Sequence, residues 1–479
     1  MPVVQSGLII EERERRYIAD PTITPTPTAL YTDLYHVDAA YVAWKSGQTG
    51  KATFDLYTRK NPFGGGFMLV AGLEPALDYL RAFKYVWEDR EYLQRVKGYP
   101  AEFLEYLRDL RFTGEIQAIP EGEIAFPDET LLRITAPFPE ALIIESGLLR
   151  AVGISTLIAT KAARLTLAAE GRVISDFAFR RAHEPFLAAR SGYIGGCAST
   201  SFVAAAREYD IPGSGTIPHA LVQAYRDELT AFRAVADALP KFSLLLDTYD
   251  VASGLENAIT VGKETAGSGH ELVSVRLDSG DLASDARLCR QRLDEEGMQH
   301  VKVLVSGDMD EFRIRDLVAA HAPIDGFGVG GNLGVGLGTV ESGTVGGVIG
   351  AVYKLSWYGG DSNEGASARI KLAGGGDKAT WPGQKVPYRV GDFDHDVIAL
   401  EGEAAPTNSR PLMETVIRDG HLVNDAPSIK DARARAMASL EALPPSFREL
   451  SVTEPYPVKM SDGVRELREA TIAGLGAGK

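Results

Sequence analysis

Four short stretches of this chain combine acids, a histidine, arginines and glycines at spacings that can do chemistry. LLLDTYD (244–250) carries Asp247 and Asp250, and VRLDSGD (275–281) carries Arg276, Asp278 and Asp281, each just past an apolar run. Carboxylates in that position can hold Mg2+ or accept hydrogen bonds from sugar hydroxyls, and the adjoining arginine can face a phosphate or carboxylate. The alternative for each Asp is to cap the following helix by accepting from a backbone N–H. SGTIPHALVQAY (214–225) delivers His219, one of eight histidines, at the start of an apolar helical pattern. It is either a reactive imidazole or an ordinary helix-start residue after Pro218. GFGVGGNLGVGLG (326–338) formally holds G-x-G-x-x-G at Gly326, Gly328 and Gly331. It can cradle one phosphate with backbone N–H groups or form a structural turn. A dinucleotide site is the weakest of the three readings, because strand-like GAVYKLSWY follows where a helix and a spaced acid should. No G-x-x-x-x-G-K-[ST] occurs, so any use of ATP is not of the P-loop kind. The pairs Arg59-Lys60 and Arg180-Arg181, the second near His183, can meet an anion or lie solvated at the surface.

The elements that must position these residues show a repeat. FSLLLDTYD (242–250), ELVSVRLDSGD (271–281), HVKVLVSGD (300–308) and IDGFGVGG (324–331) are apolar strand-like runs ending in acids or glycines. Their spacing of roughly 25–30 residues is that of one β/α unit. Between them lie helical patterns such as Leu282, Ala286, Cys289 and Leu293. Parallel β/α folds gather polar residues at strand C-termini, so the expectation is an α/β protein whose residues 145–357 form an irregular β/α barrel. Ahead of it, residues 30–144 read as an N-terminal α/β domain with a helix over 73–85 and strands around KATFDLYT and LLRIT. Residues 1–29, with PTITPTPT, read as an extended arm. Behind it, residues 358–479 form a C-terminal region expected to pack back on the N-terminal domain. That region holds a Gly-rich segment at 359–378 and an Ala-rich helix over 428–442 stopped by LPPS.

Composition narrows the function classes. The chain has 479 residues, 45% apolar and 24% charged, enough for two or three globular domains. Apolar runs such as FSLLL and VGGVIGAVY are shorter than the roughly 18 residues of a membrane span, so no membrane partner is expected. A formal charge of −15 argues against nucleic-acid binding, which rests on basic faces. EERERR at 11–16 is the wrong order for a secretory signal, and a cytoplasmic protein is expected. Cys197 and Cys289 are too few for a disulfide framework and are expected to be reduced thiols. Cys197 has no base paired with it in sequence.

These motifs occur in a familiar order. YTDLYHVDAAY (31–41), YTRKNPFGGGFMLVAGLEPALDYL (57–80), DFAFRRAH (176–183), SGYIGG (191–196) and IPGSGTIPHAL (211–221) come first. LLLDTYD, VRLDSGDL, VLVSGDMDE, FGVGGNL, VYKL and KATWPGQKVPYR (378–389) follow. Together they resemble the nicotinate phosphoribosyltransferases over nearly the whole chain from about residue 30. The resemblance implies a type II phosphoribosyltransferase fold and a homodimer with active sites at the subunit interface. The implied reaction joins nicotinate to 5-phosphoribosyl 1-pyrophosphate, giving nicotinate mononucleotide and pyrophosphate in NAD salvage, with Mg2+ and coupled ATP hydrolysis. Two alternatives remain: the same chemistry on nicotinamide, or a non-catalytic phosphosugar- or nucleotide-binding protein.

By the same resemblance, His219 is the phosphoacceptor from ATP, and Asp247 orients His219 or the metal. Arg276 and Asp278 hold ribose, and Ser306, Gly307, Gly330 and Gly331 bind the 5′-phosphate. Phe177 and Tyr35 sandwich the pyridine ring, with Tyr35 coming from the partner subunit. Asp33 belongs to the same substrate-binding set, Arg180 stands near the phosphate and ring, and Arg59 and Lys60 face pyrophosphate. Ser201 lies where the nicotinamide enzymes carry an aspartate; a hydroxyl there favours a carboxylate substrate. The chain departs from the family at Ala178, usually Gly, at Cys197-Ala198-Ser199, and at Gly331, commonly Thr. None of these departures removes a charge.

Overall fold

The computed structural model describes residues 28–338, 347–360, 367–372 and 379–477. The expected arm, apart from Thr28 and Ala29, and much of the Gly-rich segment 359–378 lie outside the described residues.

The apolar runs that end in acids or glycines are strands of one parallel sheet. Its spatial order is Ser199–Thr200, Val173–Asp176, Gly326–Val329, Lys302–Val305, Glu271–Leu277 and Lys241–Leu245. Strands buried on both faces read as continuous apolar runs, and Leu244, Val275, Val303 and Phe327 lie in one apolar cluster. The sheet is a curled half-barrel, where a barrel was expected. Among the described residues no ladder joins its two outer strands, and the two-residue strand Ser199–Thr200 is too short to carry one.

The helices between these strands bury the predicted stripe: Leu282, Ala286, Cys289 and Leu293 are all inside. Their starts are fixed by acids. Asp250, Asp281 and Asp310 accept from the backbone N–H groups of Ser253, Ser284 and Arg313 at 2.9, 3.2 and 2.8 Å, capping Val251–Glu264, Leu282–Glu295 and Glu311–Ala319. Each cap is worth about 1 kcal/mol and sets where the preceding loop must end.

A seven-stranded sheet forms the second layer. Lys51–Thr58 lies between Ala351–Gly360 and Leu132–Pro137, antiparallel to both, and Glu414–Arg418 adds to Glu115–Ala118. Residues beyond 350 therefore complete a sheet begun before residue 60. A four-stranded sheet, containing Lys385–Val390 and His395–Leu400, sits beside it and is tied in by Lys385 Nζ on Asp55 Oδ2 at 2.6 Å.

The helix Glu145–Ala168 joins the layers. By length and composition it could cross a membrane, a feature the apolar-run reading did not register, yet 83% of its most apolar window is buried in the protein. Leu148 and Val152 pack in the cluster under the seven-stranded sheet, Ile158 and Leu165 in that of the parallel sheet, and Ala159 and Ala163 in a third. Its buried polar residues are paired: Thr160 and Thr156 hydroxyls accept from Leu69 and Ala71 N–H at 2.9 and 3.2 Å, and Lys161 and Arg164 both hold Glu311.

Candidate active site

Three neighbouring strands, Lys241–Leu245, Glu271–Leu277 and Lys302–Val305, end side by side, so their loops share one edge of the sheet. Asp247 Oδ2 accepts from Asp278 N–H at 3.1 Å and from the Ser279 hydroxyl at 2.6 Å. The Ser306 hydroxyl donates to Asp278 Oδ1. Arg276 Nη1 donates to Thr216 Oγ1 at 2.6 Å, and its Nη2 stands 3.9 Å from Asp278 Oδ1. The two readings of the paired acids are thus both met, by different residues. Asp250 and Asp281 cap helices, while Asp247 and Asp278 face each other's loops.

Gly307 locks this edge. Its φ is +92°, and a Cβ there would stand 2.0 Å from the Asp278 carbonyl oxygen. Only glycine accepts both conditions, which lets the Ser306–Gly307 backbone lie directly on the Asp278 loop.

The electrostatics at this edge are unbalanced. Burial pushes the Arg276 guanidinium below its ordinary pKa; Asp278 and Asp247 oppose this, and Arg180 adds to it. Arg276 Nε and Asp247 Oδ1 are both buried without a hydrogen-bond partner. A donor and an acceptor left open together suit a ligand that offers both signs of polarity. Among the described residues no group of three or more His, Cys, Asp or Glu forms a metal cage. Mg2+ needs none, since it is commonly held by one or two carboxylates plus substrate phosphates and water, and the open Oδ1 of Asp247 fits that role.

His219 is the first residue of a short helix, His219–Gln223, and is half-buried. Its Nδ1 lies 3.1 Å from Thr248 Oγ1. The side chain against the imidazole is therefore Thr248, while Asp247, its neighbour in DTYD, bonds Asp278 and Ser279.

The glycine run leads from Gly326–Val329 into a helix of only four residues, Gly331–Gly334, too short for the helix of a dinucleotide fold. The Phe177 ring rests on the Gly328 backbone, where a Cβ would meet Cε2 at 2.4 Å. The Arg181 side chain lies across Gly330 and Gly331, with Cδ 2.9 Å from the place of a Gly331 Cβ. Ala178, the departure from Gly, faces Gly334, where a Cβ would come within 2.6 Å of the Ala178 methyl. Asp176 is buried and accepts from Thr200 Oγ1 and Ala178 N–H at 2.7 and 2.8 Å; burial nonetheless raises its pKa. Its carbonyl accepts from Ser201 N–H at 2.8 Å, placing Ser201 next to the Phe177 segment. Cys197 is buried, and burial pushes its thiol pKa up, which keeps it a thiol; Cys289, also buried, is pushed up to about 12.

A second group lies on the other layer. Asp33 precedes the helix Leu34–Lys45 and accepts from the Ser146 hydroxyl at 2.6 Å. Tyr35 is 61% exposed and packs on His36 with ring centroids 4.0 Å apart. Burial, with Glu145 and Asp33, raises the Tyr35 phenol pKa. Glu145 is pushed up to about 7 by burial, against the pull of Lys354, and stands 3.9 Å from His36 Nδ1. Arg59 and Lys60 follow the strand Lys51–Thr58, Lys60 exposed. Among the described residues, no hydrogen bond, ion pair or ring contact joins Asp33, Tyr35, Arg59 or Lys60 to the strand-end group.

Thr216, Thr248, Ser279 and Arg181 were not singled out from sequence. The three hydroxyls stand inside the motifs that were, beside an acid or within three residues of the histidine, and Arg181 is the other half of a noticed pair.

Comparison with known proteins gives one consistent result. Residues 30–153 match the family model of the nicotinate phosphoribosyltransferase N-terminal domain, and residues 392–468 that of the C-terminal domain. The chain is 38% identical over 444 residues to a nicotinate phosphoribosyltransferase of Mycobacterium tuberculosis, covering 91% of this chain and 92% of that protein. It is 39% identical over 465 residues to the Bacillus subtilis nicotinate phosphoribosyltransferase, with 91% and 93% covered. Human nicotinic acid phosphoribosyltransferase superposes with a TM-score of 0.80 at 28% identity, covering 92% of this chain and 99% of the human one.

Proposed function

This chain belongs to the nicotinate phosphoribosyltransferase family, and on that premise we propose that it converts nicotinate and 5-phosphoribosyl 1-pyrophosphate to nicotinate mononucleotide and pyrophosphate in NAD biosynthesis. The observation that carries the reading is the meeting of Asp247, Arg276, Asp278, Ser306 and Gly307 at adjoining strand ends, with an open carboxylate oxygen and an open guanidinium N–H among them.

Loss of pyrophosphate from the anomeric carbon develops positive charge on ribose, so the site must hold the sugar and neutralise the leaving group. Asp278 accepts from the ribose hydroxyls, and Arg276 fixes the anionic part of the donor beside it. The N–H groups of Gly307, Gly330 and Gly331, with Ser306, receive the 5′-phosphate. Phe177 supports one face of the pyridine ring and Tyr35 the other, with Asp33 beside it, and Arg180 stands near the ring and phosphate. Arg59 and Lys60 meet the departing pyrophosphate. Asp247 would hold Mg2+ through its open Oδ1, and the ion when bound neutralises charge on the leaving group. The hydroxyl of Ser201 selects nicotinate over nicotinamide, since an acid there would repel the carboxylate.

The finer reading includes coupled ATP hydrolysis with His219 as phosphoacceptor, a type II arrangement of barrel and N-terminal domain, and a homodimer with shared sites. The return of Ala351–Gly360 and Glu414–Arg418 to the sheet begun by Lys51–Thr58 supports the arrangement. The separation of Tyr35, Asp33, Arg59 and Lys60 from the strand-end group supports a site completed by a second copy. We place the reaction in the cytoplasm, since its phosphate-ester substrates do not cross membranes unaided. The test is to incubate the protein with nicotinate, 5-phosphoribosyl 1-pyrophosphate and Mg2+, with and without ATP. Nicotinate mononucleotide is expected in both, more with ATP, and no product in either rejects the activity.

A further inference from the structure

His219 has two ring nitrogens in different surroundings. Nδ1 faces Thr248 Oγ1 at 3.1 Å, whereas Nε2 has no protein partner among the described residues. Thr248 makes no other side-chain hydrogen bond among the described residues, so its hydroxyl is committed to the imidazole. Both ends of its loop are anchored. Asp247 is held by Asp278 N–H and the Ser279 hydroxyl, and Asp250 caps the next helix. The threonine therefore presents a fixed oxygen rather than a loose one, and the contact closes Nδ1 to any incoming phosphoryl group.

A nitrogen that attacks phosphorus needs its lone pair, so the ring proton must sit on the other nitrogen. We propose that Thr248 is the positioning residue that keeps the His219 proton on Nδ1, donated to Thr248 Oγ1, and thereby makes Nε2 the atom that ATP phosphorylates. This deepens the coupled reading above and rests on it. In the step, the Nε2 lone pair forms the N–P bond to the γ-phosphorus, and the P–O bond to ADP breaks with its electron pair. The proton already on Nδ1 stays on the ring, in its hydrogen bond to Thr248. No proton has to leave the attacking nitrogen. The product is a phosphorylated imidazolium, a better phosphoryl donor than the neutral ring, and Thr248 holds the proton that makes it so.

The test compares wild type with Thr248→Val and Thr248→Ser on the full chain. After incubation with ATP and Mg2+, 31P NMR of the base-denatured protein distinguishes Nε2- from Nδ1-phosphohistidine. Separately, 15N NMR of histidine-labelled protein reads the tautomer of His219, assigned by its loss in His219→Ala. Wild type should carry phosphate on Nε2 and the proton on Nδ1. Thr248→Ser should keep both. Thr248→Val should lose about tenfold in phosphorylation rate, the effect of one hydrogen bond, and shift toward the Nε2–H tautomer. Phosphate on Nδ1 in wild type overturns the proposal, as does a Thr248→Val protein with unchanged rate and tautomer. A wild type that turns over but takes no phosphate from ATP rejects the coupled reading and the phosphorylation half with it. The tautomer half is then decided by the 15N comparison alone.

Discussion

Replacing Gly307 by Ala probes the edge where the strand loops meet. The new Cβ would stand 2.0 Å from the Asp278 carbonyl oxygen, and real Cβ contacts essentially never fall below 3.0 Å, so one backbone must move by about 1 Å. No rotamer change relieves the clash, because both parties are fixed to the main chain. Holding alanine at φ +92° costs about 1–2 kcal/mol. The displacement also pulls Ser306 from Asp278, a hydrogen bond to a charged group worth about 1.5–3 kcal/mol. If both losses fall on the bound transition state, kcat/KM for 5-phosphoribosyl 1-pyrophosphate drops by roughly two to three orders of magnitude. Gly297→Ala is the control. Its φ of +74° carries a similar backbone cost, but nothing lies within 4 Å of the added Cβ. It should lower Tm by a few degrees and leave kcat/KM unchanged. The reasoning is refuted if steady-state assays show Gly307→Ala within about threefold of wild type while its melting curve matches that of Gly297→Ala.

The two acids of DTYD should separate cleanly. Asp250→Ala loses a helix cap, about 1 kcal/mol by urea denaturation, with activity retained, whereas Asp247→Asn abolishes most turnover while unfolding near the wild-type midpoint. Ser201→Asp should shift the ratio of kcat/KM for nicotinamide over nicotinate upward by about tenfold or more, measured by competition between the two bases. Glu145 supplies a pH signature. Its folded pKa of about 7 lies above the ordinary carboxylate value of 4.5, so the folded state binds more protons between those values, and stability falls as pH rises across that window. Glu145→Gln should flatten the wild-type slope between pH 4.5 and 7, a difference on the order of 1–3 kcal/mol, in urea midpoints taken at each pH.

The parallel strands were legible because burial on both faces makes them uninterrupted apolar runs, and the acids at their ends mark where those runs leave the core. The division of labour between Asp247 and Asp250, or Asp278 and Asp281, was not. All four acids follow a strand, and only the helix starting at 251 or 282, with Ser253 and Ser284 offering N–H groups three residues on, identifies the caps. The helix over 145–168 escaped the apolar-run reading because Ser155, Thr156, Thr160, Lys161 and Arg164 interrupt it. Partners for four of them, Ala71, Leu69 and Glu311, come from distant parts of the chain. Thr248 was hidden for a similar reason: its partner is His219, 29 residues away, and no local pattern pairs a hydroxyl with an imidazole. The expected barrel opened into a half-barrel because Ser199–Thr200 spans too few residues to pair along Lys241–Leu245, a limit set by strand length that composition does not register.

Because the helix Glu145–Ala168 gives side chains to all three apolar clusters, neither layer keeps an intact core without it. Lys161 and Arg164 add a penalty of their own, since freeing Glu311 from either would strand a buried charge. Unfolding is therefore all-or-none across the layers. Calorimetry should register one heat-absorption peak, and a fragment beginning at residue 145 should give none, because it lacks the partners that its first helical turns require.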